Sequence, residues 1–75
     1  MQIEILLKQI RQEKKVTLTK LSDRSGVSVS HISDIENNYK MPSLLVSVKL
    51  AKALDIEITE LYKVTWWLSW IVINM

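Results

Sequence analysis

Residues 28–36, SVSHISDIE, gather the side chains that could do chemistry: Ser28, Ser30, Ser33, His31, Asp34 and Glu36. Catalysis needs more than this set supplies. The serines have no plausible activating base or oxyanion site, and an unactivated hydroxyl is a weak nucleophile. His31 is the only histidine and there is no cysteine, so neither a multi-histidine nor a thiolate metal site can form. Asp34 and Glu36 stand two apart and do not share a helix face, so they are not an acid–base pair. The chemistry left is hydrogen bonding from a polar helix face. Hydroxyls donate and accept, a carboxylate accepts from cytosine N4, and Val29 can pack on a thymine methyl. No enzymatic activity, cofactor, metal or small-molecule ligand is expected.

The elements that position this face lie in residues 17–42. Two short helical patterns, one carrying Leu18 and Leu21, the other Val27, Ile32 and Ile35, flank Gly26, the only glycine. Helices joined so closely cross steeply, and the second projects one face outward, as a helix entering the major groove of DNA must. Thr17 and Ser28 suit the two N-caps, and Gly26 suits a left-handed helix end. The second pattern runs to about Asn37 or Asn38, and Pro42 closes the loop that follows. Ser43 caps a fourth helix, whose buried face is expected to hold Leu44, Val48 and Ala51, with Leu50 and Leu54.

Upstream, Ile3, Leu7 and Ile10 form the stripe of a first amphipathic helix over residues 2–14. Leu6 widens the stripe and Ile5 lies off it, toward solvent. Val16 anchors the linker. Downstream, Ile56 and Ile58 open a short last helix, ITELYK, with Leu61 inward. One glycine and one proline leave little material for hairpin turns. The expected fold is therefore all-α, a compact bundle of five helices.

Seventy-five residues make one domain with a marginal core, and without cysteine no disulfide can staple it. A formal charge of +2 is weak evidence for nucleic acid. The start shows no secretory signal, because charges interrupt its apolar stretch. A cytoplasmic location follows by default.

Four stretches taken in order, IRQEKKVT, LS…GVS…HISDIEN, MPSL and LAKALDIEITELY, resemble the phage repressor and Cro family, the XRE-type helix-turn-helix domain. The resemblance covers about residues 3–62. It implies a five-helix fold, sequence-specific binding of double-stranded DNA as a homodimer, and transcription regulation, as a repressor that blocks polymerase or an activator that recruits it. By position it implies base reading by Val29, Ser30 and Asp34, with Ser33 nearby. It places Thr17, Leu18, Asn37 and Lys40 at the DNA backbone, where Ser28 and Lys20 join them. Lys14, Lys15 and Arg24 are further basic residues around the reading helix. Arg11 and Glu36 match a scaffolding pair.

Several positions depart from the family pattern. Leu18 stands where glutamine is frequent, which removes a hydrogen bond. Lys20 replaces a glutamate, so no capping box forms. Lys15, Asn38 and Asp55 occupy positions that favour glycine. Asp34 brings a negative charge toward DNA. With no Arg or Gln on the helix, modest base discrimination is expected, and DNA shape supplies the remainder.

The chain divides into a DNA-binding domain, residues 1–63, and an apolar tail, residues 64–75, that holds all three tryptophans. The tail is shorter than the roughly 20 residues of a membrane span, and membrane contact is not expected. Its composition favours a strand. Its continuity with the bundle favours a sixth helix, the preferred reading. Trp66, Trp67, Trp70 and Ile71 are the candidate dimerisation residues, ahead of packing on the chain's own domain. The rival function is an interaction module of the same fold, of antitoxin or anti-repressor type, with weak or lost DNA binding.

Overall fold

The computed structural model describes residues 2–65. Strand β1 (Gln2–Ile5) leads into four α-helices: α1 (Leu7–Glu13), α2 (Leu18–Ser25), α3 (Val29–Glu36) and α4 (Leu44–Ala53). A 3-10 turn, Ile58–Leu61, then leads into strand β2 (Tyr62–Thr65). Among the described residues, no helix is long and apolar enough to cross a membrane.

Side-chain caps start three of the helices. The Thr17 hydroxyl accepts from the Lys20 N–H at 3.1 Å, Ser28 from His31 at 3.2 Å and Ser43 from Val46 at 3.2 Å. Each cap satisfies a backbone donor that the helix leaves free. Helix ends are equally explicit. After α1, Val16 N–H bonds the Arg11 carbonyl and Lys15 N–H that of Gln12. The same paired closure follows α3, through Tyr39 and Asn38, and α4, through Ile56 and Asp55. This motif requires a left-handed residue. Lys15 (φ 57°), Asn38 (φ 63°) and Asp55 (φ 57°) take that role, and Gly26 (φ 76°) ends α2.

Asn and Asp tolerate this conformation; lysine is strained by it. Lys15→Gly is therefore expected to raise stability by about 0.5–1 kcal/mol, the relieved strain less glycine's greater unfolded entropy. A higher urea midpoint at constant m-value would register the gain, and an unchanged midpoint would refute it.

The core draws on every helix: Leu7, Val16, Leu21, Val27, Ile32, Ile35, Leu50, Leu54 and Leu61 are buried together. Ile10, Leu18 and Ile56 pack partly against them.

Several expectations are corrected. The bundle has four α-helices and a two-stranded antiparallel sheet, not five helices. Residues 2–5 alternate with period two, as a strand does, rather than extending the α1 stripe. Ile5, expected toward solvent, packs on the core, while Ile3 on the same strand face lies beyond it, 50% exposed. The segment ITELYK is a 3-10 turn that passes into β2, not a fifth helix. Scarcity of turn formers did not preclude the sheet, because its strands lie at opposite ends of the domain and share no tight turn. Glu4 faces Lys63 across the strands, a favourable opposite-charge register.

A further correction concerns α4. Leu50, Ala51 and Leu54 are buried as expected, but Leu44 and Val48 are 75% and 44% exposed, and Ser47 takes the remaining inward place. A serine is admitted there because its hydroxyl meets the hydroxyl of Tyr62 in a hydrogen bond. Val64 and Thr65, placed in the tail and read there as helix, belong to β2. Trp66, Trp67, Trp70 and Ile71 lie outside the described residues.

Candidate nucleic-acid interface

Helices α2 and α3 are set by what they bury. Leu21 and Ser25 of α2, and Ile32 and Ile35 of α3, point inward, with Val27 buried in the turn between them. Ser25, which the sequence reading did not single out, fixes that turn: its buried hydroxyl accepts the Val27 N–H at 3.1 Å. Its signal was a small polar residue directly before the glycine.

With those side chains inward, the opposite face of α3 is presented to solvent. Ser28, Val29 and Ser30 are exposed, and His31, Ser33 and Asp34 are half-buried. Ser30, Ser33, Asp34 and Asn37 follow helical spacing and make one polar stripe. The Asn37 amide donates to the Ser33 hydroxyl at 3.3 Å. Thr17, Lys20 and Lys40 are exposed around α2 and α3, as are Lys14, Lys15 and Arg24, whereas Leu18 is half-buried against the core. The hydroxyls of Thr17 and Ser28 accept from their helices, and the Ser28 hydroxyl also lies 3.5 Å from that of Ser30.

Asp34 has company that periodicity did not show. Its carboxylate lies 3.6 Å from the Lys40 ammonium. The backbone reversal at Asn38 brings Lys40 there, and the Asp34 carbonyl accepts the N–H groups of Tyr39 and Lys40. The negative charge on α3 thus has a cation at hand. The two residues share a surface site, and such exposed pairs contribute little to stability.

The far end of α3 is held by the pair suggested from the sequence. Arg11 Nε donates to one Glu36 oxygen at 2.6 Å and Nη2 to the other at 3.1 Å. Its Nη1 donates to the Val16 carbonyl at 2.9 Å. One guanidinium therefore ties α1, the linker and α3, with the two side chains only 13% and 5% exposed. The hydrogen bond to Glu36 raises the Arg11 pKa above its ordinary value; burial opposes this and the Glu36 charge adds to it. Arg11 stays charged throughout the working range of pH.

Comparison with known proteins matches this arrangement. The helix-turn-helix family model covers residues 7–61. The HTH-type transcriptional regulator y4dL of Sinorhizobium fredii is 44% identical over 52 residues, 69% of this chain and 26% of that protein. The restriction-modification controller protein C.AhdI of Aeromonas hydrophila superposes with a TM-score of 0.71 at 36% identity, over 73% of this chain and 83% of C.AhdI. The N-terminal DNA-binding domain of SinR from Bacillus subtilis gives 0.68 at 36% identity, over 73% of this chain and 81% of that domain. The chain spans 48% of the full-length SinR regulator. With the family model covering most of its length and two buried-core helices meeting at Gly26, the chain belongs to the XRE-type helix-turn-helix family, whose matched members are named as transcriptional regulators.

Proposed function

We propose that this chain regulates transcription by binding an operator in double-stranded DNA as a homodimer, laying α3 in the major groove. Val29, Ser30, Ser33 and Asp34 read base edges. Thr17, Lys20, Ser28, Asn37 and Lys40 meet the backbone, and Leu18 packs beneath them. The observation that carries this reading is the two-sidedness of α3: Ile32 and Ile35 are fully buried while Ser28, Val29 and Ser30 stand open. Two such helices about 34 Å apart would span successive major grooves. The relatives are named as regulators, and the interaction-module alternative is not favoured.

The test compares Lys40→Ala with Val29→Ala on an operator selected from a random duplex library and on its scrambled counterpart. Lys40→Ala should weaken both DNAs alike and flatten the salt dependence by about 0.9 in log–log slope, as one phosphate contact is lost. Val29→Ala should alter the ratio between the two DNAs, because an apolar contact to a thymine methyl carries sequence information. Equal effects of the two variants on both DNAs would refute the assignment.

A further inference from the structure

Away from α3, the sheet carries apolar surface that no other element among the described residues covers. Antiparallel partners and alternate residues share a face, so Ile3, Ile5, Tyr62 and Val64 lie together. Ile5 and Tyr62 pack on the core. Ile3 and Val64 reach past it, 50% and 42% exposed. With Leu44, Ile58, Thr59 and Tyr62 they wall a groove of about 630 Å³ that has no charged side chain in its lining. That is the size of a pocket that encloses a drug-sized molecule.

The chain itself contains a segment of matching chemistry. It leaves β2 at Thr65, beside Val64 on the groove wall, and ten residues follow, WWLSWIVINM, without a charged side chain. Apart from Ser69, none of the residues that favour chain reversal occurs before Asn74. The segment therefore carries apolar surface for the groove without the turn chemistry to fold straight back onto it. Resting on the homodimer reading above, we infer that residues 66–75 of one copy occupy this groove on a second copy. The exchange is reciprocal and gives a closed two-fold pair in which each domain both supplies and receives an insert.

Two full-length variants test the exchange. Leu44→Glu charges the groove at the first position of α4, where an exposed acid suits the helix dipole and leaves the fold intact. Trp66→Gln/Trp67→Gln/Trp70→Gln keeps the groove and spoils the insert. Sedimentation should show a wild-type dimer and self-association weakened more than about tenfold in each variant, since central apolar anchors dominate such contacts. An equimolar mixture should form a one-to-one dimer, one chain giving the insert and the other the groove. Only the Leu44→Glu chain then carries tryptophan, so its emission should shift to the blue on mixing. Circular dichroism checks the fold, and Ile3→Gln replaces Leu44→Glu if helix is lost.

A dimer that survives Leu44→Glu, or a mixture that stays monomeric with unshifted emission, overturns the exchange while leaving the homodimer reading in place. A monomeric wild-type chain overturns both.

Discussion

Arg11→Ala is expected to lower the unfolding free energy by about 3 kcal/mol, the lower end of the cost of stranding one member of a buried ion pair. The variant strips Glu36, 5% exposed in the intact pair, of the two guanidinium hydrogen bonds it accepts, and frees the Val16 carbonyl as well. A chain of this size has a total stability of roughly 4–11 kcal/mol, so much of the folded population would be at risk near body temperature. Arg11→Lys should recover only part of the loss, because an ammonium cannot form the planar two-oxygen fork. Removing both charges with Arg11→Met/Glu36→Leu should cost less than Arg11→Ala alone, since no charge is then left buried. Urea unfolding of the four proteins measures these differences, and equal midpoints for wild type and Arg11→Ala would contradict the scaffold role. The pH dependence has a definite sign. Because the folded pKa of Arg11 is raised, its contribution is complete below the ordinary arginine value and is lost only as pH climbs through the still higher folded value. No alkaline decline from this group should therefore be seen at ordinary working pH.

The largest expected effect on binding comes from Val29→Glu. Val29 opens α3 and is 40% exposed, so the substitution leaves the core untouched and places a carboxylate on the face proposed to meet DNA. Like charges brought together at an interface cost several kcal/mol. Affinity for duplex DNA should fall by about one to two orders of magnitude at low salt. The deficit should shrink as salt screens the phosphates. Val48→Glu makes the same change of charge on α4, outside the reading helix, and should leave affinity within about threefold of wild type. Fluorescence anisotropy with a labelled duplex reads both. Comparable losses from the two variants would show that net charge, and not the α3 face, controls binding.

Much of the framework was legible in the sequence because its determinants are local. Thr17, Ser28 and Ser43 cap helices through a hydroxyl that reaches only three residues on, and Lys15, Asn38 and Asp55 end helices within one turn. The Arg11–Glu36 pair, 25 positions apart, was reached through the family resemblance and not from periodicity. What was missed depends on distant partners. Four residues such as QIEI fit either a helix stripe or a strand, and only pairing with YKVT at the other end of the domain decides. On α4, Leu44 and Val48 offered an apolar stripe, but the core accepted Ser47 because Tyr62 supplies its hydrogen bond. At the candidate interface, the exposed face of α3 was foreseen, whereas the approach of Lys40 to Asp34 needed the backbone reversal at Asn38.

The antiparallel register of β1 and β2 also bears on how the domain comes into being. Gln2 pairs with Thr65, a separation of 63 positions (65 − 2). The four helices between them can form from neighbouring contacts, but this last zipper must wait until residues 62–65 have been made. Closing the Leu6 amide onto the Leu61 carbonyl, like the strand pairing beside it, joins the two sequence extremes of the domain and adds non-local contacts that slow folding.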